Sequence, residues 1–410
     1  MATAIQCDPK PAEQIKPLPR YGRGYRVESI DVLRGLLMVL MALDHTRDYF
    51  SSAVIDPTDP IHSWPALFIT RWMTHICAPG FILLAGASVY LQRQRKSAAT
   101  LTRSLILRGL WLIFLEITVI SFGWSFGVGM PIFQVIWVIG VCMLALAGLQ
   151  WLSLPAIGLF AAIVILGHNM LDSIHASAMG NWSDAWYILH ERGWLTFHAH
   201  PIALYGYPVI PWIGVMALGY CFGAVITLAP ERRQRISALL GAVSLGSFAL
   251  LRLTHSYGDP GPGFEHLDTP AHTMMSIFSI QKYPPSLHYL FATLGIVFLL
   301  FSIFDRAVEH SRTPRLRAFF DVYGRVPFSF YILHIFLIHG LALLVAATTI
   351  ANWRFWITPD VVFTSHLTGW GYSLLVVYIV CSAVVLALYP ACSWFSQLKD
   401  RRRDWWLSYL

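Results

Sequence analysis

Long apolar runs alternate with short polar links along this chain, and the runs set its architecture. A membrane-spanning helix needs about 20 mostly apolar residues. Ten runs meet that requirement, at roughly 30–49, 66–91, 104–121, 131–150, 153–170, 206–229, 236–253, 286–304, 326–348 and 369–391. The links around 122–130 and 150–153 are short, so the third to fifth runs follow closely on one another. The pattern predicts an all-α polytopic membrane protein with about ten transmembrane helices. Residues 30–396 would form the membrane domain, between polar tails at 1–29 and 397–410.

Charge then orients the helices. Basic residues cluster at Lys10–Arg26, Arg93–Arg103, Arg232–Arg235, Arg306–Arg317 and Lys399–Arg403, while the other links hold scattered ones such as Arg192, Lys282 and Arg354. With ten spans, all five clusters and both termini fall on one side. That is the positive-inside pattern and makes the side cytoplasmic. One missed helix would break the alternation, so the charges check the count. The opposite face receives the longer links, about 50–65, 171–205, 254–285 and 349–368. These carry tryptophans and histidines, and loops on a rigid scaffold are a usual place for binding.

Composition agrees. Of 410 residues, 56% are hydrophobic and 12% charged, with a mean hydropathy of +0.57. Soluble domains carry about 25% charged residues, which excludes a water-soluble globule. The natural partner is a lipid bilayer, and the many Trp, Tyr and Phe suit aromatic belts at its two interfaces. The formal charge of +7 follows topology and implies no nucleic-acid partner. Cys77, Cys142, Cys221, Cys381 and Cys392 lie in or beside apolar runs and Cys7 in a polar one, with no metal-type or disulfide-type spacing. The first 29 residues lack an apolar core, so they read as a cytoplasmic tail rather than a signal peptide.

The first run, DVLRGLLMVLMALDHTRDYF, is unusual. Asp31 and Arg34 open it, and Asp44, His45, Arg47 and Asp48 crowd its end. Ionisable groups at membrane depth are costly and usually functional. Arg34 and His45 are eleven steps apart, which at about 100° per residue is three turns plus some 20°. One helix face therefore presents both, roughly 16 Å apart along the axis, or about half the hydrocarbon thickness. Met38 and Met41 fill the stripe between them. Asp31, three residues before Arg34, is placed to pair with it. Interfacial anchoring of Arg34 is the alternative.

Similar groups recur in other runs. IHSWPALFITRWMTHICAPG places His62 just outside the second span, with Arg71 and His75 one turn apart within it. Gln134 opens the fourth run, and YGRVPFSFYILHIFLIHG carries Arg325, His334 and His339. Arg71, His75, Gln134 and His334 either line a polar path or hydrogen-bond neighbouring helices. His198 and His200 of the HAH stretch lack a third ligand, so no metal site is expected.

RVESIDVLRGLLMVLMALDHTRDYF resembles the opening helix of a bacterial family of unknown function. That family is related to heparan-α-glucosaminide N-acetyltransferase and to YeiB-like membrane proteins. TRWMTHICAPGFILLAGAS, YPVIPWIGVMALGYCFG, KYPPSLHYLFATLGIVFLL and YGRVPFSFYILHIFLIH are similar to further stretches of it, in order, from about residue 26 to 345. An Arg followed by ten residues and a His also resembles the signature of the wider transmembrane acyltransferases that O-acylate bacterial glycans. The resemblance implies a multi-pass acyltransferase of the bacterial inner (cytoplasmic) membrane. Its co-substrate would be cytosolic acyl-CoA (acetyl-CoA) and its acceptor a glycan or a small amine or hydroxyl compound on the far side. The lysosomal relative relies on a first-loop histidine near an asparagine at the end of the first helix. Here His62 matches that histidine, and His45 stands where the asparagine would be.

A mechanism consistent with both lines can be written. Arg34, Arg325 and Arg108 would hold the CoA phosphates, because guanidinium matches phosphate geometry. His45 would act as general base, with Asp44 or Asp48 orienting its ring and Asp48 better placed within the helix. A proton-coupled transporter using the same Arg and His residues is the alternative, although no convincing internal repeat supports it. A homodimer is left open.

Overall fold

The computed structural model describes residues 27–127, 130–197, 200–261, 263–350, 352–358, 370–402, 404 and 407. Cys7, the basic cluster up to Arg26, His198, Arg403 and much of the 349–368 link lie outside them. The described chain is predominantly helical. In order, the helices are α1 (Glu28–Phe50), α2 (Pro65–Thr74), α3 (Cys77–Arg93), α4 (Ala98–Leu115), α5 (Ser121–Ser125), α6 (Val135–Leu149), α7 (Leu154–Gly167) and α8 (Ser183–Leu189). There follow α9 (Val209–Ile226), α10 (Pro230–Leu253), α11 (Pro270–Phe278), α12 (Leu287–Glu309), α13 (Pro314–Arg325), α14 (Pro327–Thr349) and α15 (Leu374–Arg401).

Each of the ten expected runs coincides with a helix or a helix pair. Among the described residues, eight such units are long and apolar enough to cross a membrane: α2–α3, α4–α5, α7 with the turn after it, α9, α10, α12, α14 and α15. Helix α1 has the length but carries Glu28, Asp31, Arg34, Asp44, Arg47 and Asp48. Helix α6 is apolar but only 15 residues long. The chain is thus a mainly α-helical, multi-pass membrane protein.

Local chemistry explains where the helices start and break. Ser97 and Ser286 cap α4 and α12, accepting from the amides of Thr100 and Tyr289. Proline opens α7, α10 and α14, where its missing N–H costs nothing. The second run is not one continuous helix but breaks between α2 and α3. Pro79 has no N–H to offer the carbonyl of His75, four residues back. The hydroxyl of Tyr289 donates to that carbonyl instead, at 2.7 Å. The third run extends through a five-residue π-turn, Glu116–Ile120, into α5. The fourth starts later than expected because Ile132–Phe133 form a short strand, β1, before α6. The helices α10, α12 and α15 also run on into the basic segments.

The loop-rich end adds a three-stranded sheet that hydropathy did not foretell. β2 (Gly193–Phe197) pairs antiparallel with β3 (His200–Tyr205), and β1 pairs parallel with β3 on its other side. At the opposite, basic end, polar contacts tie the helix termini together. Asp305 of α12 accepts from Ser29 of α1 at 2.9 Å and from two guanidinium nitrogens of Arg233 of α10, each at 2.7 Å. Arg325 of α13 pairs with Asp400 of α15. The amphipathic helix α13 lies against α1 with almost no gap. A Cβ at Gly35 would meet the carbonyl oxygen of Phe320 at 1.9 Å, and one at Gly324 would meet that of Asp31 at 1.8 Å. Small residues let helix backbones approach this closely within a membrane.

Candidate active site

Two cavities open from opposite ends of the bundle. The basic-end cavity, of about 340 Å³, has Arg34, Arg108, Arg325 and Lys399 among its lining residues. Apolar side chains continue its wall, including Met38 and Met41 of α1, Phe81 and Val89 of α3, Ile139 of α6 and Tyr331 of α14. The loop-end cavity, of about 380 Å³, is more polar. Arg47, Asp48, Arg71, Gln134, Arg192, Tyr207 and Tyr283 line it, with Trp124 and Trp370.

Hydrogen bonds to neighbouring elements hold Arg34 at the basic end. It donates to Asp31 Oδ1 at 3.1 Å, to the carbonyl of Gly324 at 3.2 Å and to Ser88 Oγ at 3.2 Å. The close α1–α13 contact thus positions the arginine.

His45 lies between the two cavities. Its ring meets Trp124, a wall of the loop-end cavity, edge-on at 4.7 Å between centroids. It meets Tyr331, a wall of the basic-end cavity, edge-on at 6.1 Å. Its Nδ1 lies 2.8 Å from Nε2 of His334, and His334 Nδ1 donates to the carbonyl of Phe330 at 2.9 Å. A carbonyl only accepts, so in neutral rings the tautomers follow. His334 carries its proton on Nδ1, His45 donates from Nδ1, and the lone pair of His45 resides on Nε2. A base whose other nitrogen is held by a third group is the usual arrangement for proton transfer.

Other expected residues fall elsewhere. Asp44 does not orient His45: Arg71 Nη1 donates to both its carboxylate oxygens, at 2.6 and 2.5 Å, and Arg47 Nη2 lies 3.0 Å away. Asp48 pairs with Arg47 at 2.5 Å. His45 turns toward α14 while these carboxylates face guanidinium groups, so an imidazole, not a carboxylate, fixes its ring. His62 is 68% exposed at its side chain, pairs with Asp59 and lines neither cavity. The same link instead contributes Ala53, Ile55 and Pro57 to the loop-end wall. His75 is buried at the α2–α3 break between Trp72 and Tyr289 and lines neither cavity. His334 backs His45 rather than lining a path. Gln134 is not inside a helix but just precedes α6, in the loop-end wall.

Several further residues contribute to the centre. Glu116 is the lone carboxylate of the third run, a signal of the same kind as His45. It sits in the π-turn, fully buried, and accepts from the amide of Trp137 at 2.9 Å. That caps the first turn of α6, whose amides lack helical partners. Tyr283 lies outside the spans. Burial opposes its ionisation, but Lys282 and Arg71 outweigh that and hold the phenol below its usual range. Trp124 and Tyr331 had no sequence signal, because only packing brings them to His45.

The fold and this centre define a polytopic membrane protein with a histidine pair between two opposed cavities. Residues 26–251, more than half of the chain, match the family described as heparan-alpha-glucosaminide N-acetyltransferase, catalytic. The chain belongs to that family. Among curated proteins, none matches the chain. Arg34, His45, Arg108 and Trp124 lie within the matched residues, whereas Arg325, Tyr331 and His334 lie beyond them.

Proposed function

We propose that the protein transfers an acyl group, acetyl by analogy with its family, from acyl-CoA to an acceptor held at the loop end. The observation that carries this reading is the position of the His45–His334 pair, touching the wall of each cavity from between them. The basic end would face the cytoplasm by the positive-inside rule. There Arg34, Arg108, Arg325 and Lys399 would engage the CoA phosphates, and the apolar wall of Met38, Met41 and Phe81 would take the pantetheine arm. The acceptor, an amino sugar or a small amine or hydroxyl compound, would enter among Trp124, Trp370 and Tyr207. His45 Nε2 would remove its proton as it attacks the thioester. Nothing in the arrangement needs the protein to carry the substrate across, which sets the reading apart from a proton-coupled transporter.

The test is ligand-dependent stability and turnover in detergent. Acetyl-CoA should raise the Tm, and release of CoA thiol should depend on an added amine such as glucosamine. No stabilisation and no thiol release would sink the proposal. Proton uptake in liposomes without acyl transfer would favour the transporter.

A further inference from the structure

The geometry points to an oxyanion hole formed by Trp124 Nε1–H and Tyr331 Oη–H, flanking His45. Both atoms are buried and neither makes a well-formed hydrogen bond among the described residues; the polar side chain that approaches the Tyr331 hydroxyl is Trp124 itself, so the two donors lie close together. Such orphans are rare in native proteins, because a buried donor without an acceptor has given up its hydrogen bonds to water. Other buried tyrosines nearby are satisfied. Tyr49 donates to the carbonyl of Trp124 at 2.6 Å, Tyr289 to that of His75 at 2.7 Å and Tyr323 to that of Val385 at 2.8 Å. Tyr331 is the exception, and it lies against His45. Trp212 and Trp356 also carry unpartnered Nε1 atoms, but they line neither cavity.

What would satisfy both groups follows from their chemistry and position. Indole N–H only donates, and a phenol donates readily. The two come from different helices, α5 and α14, and one lines each cavity. An oxygen accepting from both would sit where the cavities approach, beside His45. An acyl carbonyl carried in from the basic end is such an oxygen.

This inference rests on the acyltransfer reading and adds its electrophilic half. The acceptor nitrogen or oxygen forms a bond to the thioester carbonyl carbon, and its proton passes to His45 Nε2. The carbonyl π pair moves onto oxygen, where Trp124 and Tyr331 donate to the oxyanion. Collapse restores the C=O and breaks the C–S bond. The departing CoA thiolate takes the proton back from His45, so charge and protons balance. Donors aimed at a developing oxyanion in a site shielded from water are among the strongest single contributions to catalysis.

The test uses the full-length protein in detergent, with acetyl-CoA and glucosamine as probes and CoA thiol release as readout. Tyr331→Phe and Trp124→Phe keep a ring in place. Each should lower kcat by about 10²–10³-fold, the usual loss for one oxyanion donor, with the KM for acetyl-CoA within about threefold of wild type. If both variants keep kcat within about threefold while the wild type turns over, this inference falls and the acyltransfer reading stands. If the wild type neither binds acetyl-CoA nor releases thiol, both fall together. A second measurement needs no turnover: the carbonyl stretch of carba-dethia acetyl-CoA, the ketone isostere in which a methylene replaces the thioester sulfur. It should move to lower wavenumber on binding to the wild type and recover in Tyr331→Phe. A stretch unmoved by the wild type overturns the assignment even if both variants fold poorly.

Discussion

His45 of α1 and His334 of α14 share a hydrogen bond, Nδ1 to Nε2 at 2.8 Å, although 289 residues separate them. The carbonyl of Phe330, at 2.9 Å from the far nitrogen of His334, sets the direction of the pair. In the neutral pair this direction leaves the lone pair of His45 on Nε2.

His45→Ala should lower acyl transfer by about 10²–10⁴-fold, the usual share of a general base. His334→Ala should lower kcat in the same direction, with little change in the KM for acyl-CoA. Because the two act as one unit, the double variant should be little worse than the worse single one. Steady-state kinetics on the three proteins checks this. Multiplying losses would mean that the histidines act separately.

The basic-end arginines carry a different expectation. Arg108→Ala should raise the KM for acetyl-CoA by roughly 10- to 100-fold, as for loss of a hydrogen bond to a charged group. It should leave the KM for acetyl-pantetheine, which lacks the nucleotide phosphates, nearly unchanged. Arg34→Ala should do the same but also lower the Tm, since Arg34 bridges Asp31, Gly324 and Ser88. Equal effects on both donors would remove these residues from phosphate binding.

Much of this site was legible along α1 because a helix converts spacing into direction. Eleven steps place Arg34 and His45 on one stripe, and Met38 and Met41 between them line the basic-end cavity. Asp31 meets Arg34 at one-turn spacing, at 3.1 Å. Contacts between helices were not legible. Asp48 was the better orienting candidate within α1, yet α14 supplies that group from the other half of the chain. The His75 break and the π-turn at Glu116 were equally hidden, because the hydroxyls of Tyr289 and Ser121 donate to the backbone carbonyls of His75 and Glu116 there. The β1–β3 pairing was invisible because β1 is only two residues long.

Asp44 gives a prediction about stability. Its carboxylate faces Arg71 and Arg47, and all three side chains are largely buried. Removing one partner of a buried ion cluster leaves charge uncompensated, which typically costs about 3–5 kcal/mol. Asp44→Asn should therefore lower the Tm in detergent well below that of Asp48→Asn, whose carboxylate is 41% exposed. Equal melting temperatures would show that the cluster contributes little to the fold.

His62 stands apart from both cavities. His62 Nδ1 donates to Asp59 Oδ2 at 2.6 Å, and the amides of Ile61 and His62 donate to Oδ1 at 2.7 and 3.2 Å. Slight burial works against the charged carboxylate, but these hydrogen bonds outweigh it and hold Asp59 below its ordinary value of 3.8. A depressed folded value stabilises the fold above the unfolded value, and that contribution is lost as pH falls through the folded one. The 51–64 link should thus be held at neutral pH and loosen only in acid, below about pH 4. His62→Ala removes the strongest of these hydrogen bonds and should move the loosening to higher pH, as hydrogen exchange of residues 56–64 would record. Acyl transfer at neutral pH should stay near wild type in the same variant. A loss comparable with that of His45→Ala would bring His62 into the reaction and require this link to fold inward over the loop-end cavity during turnover.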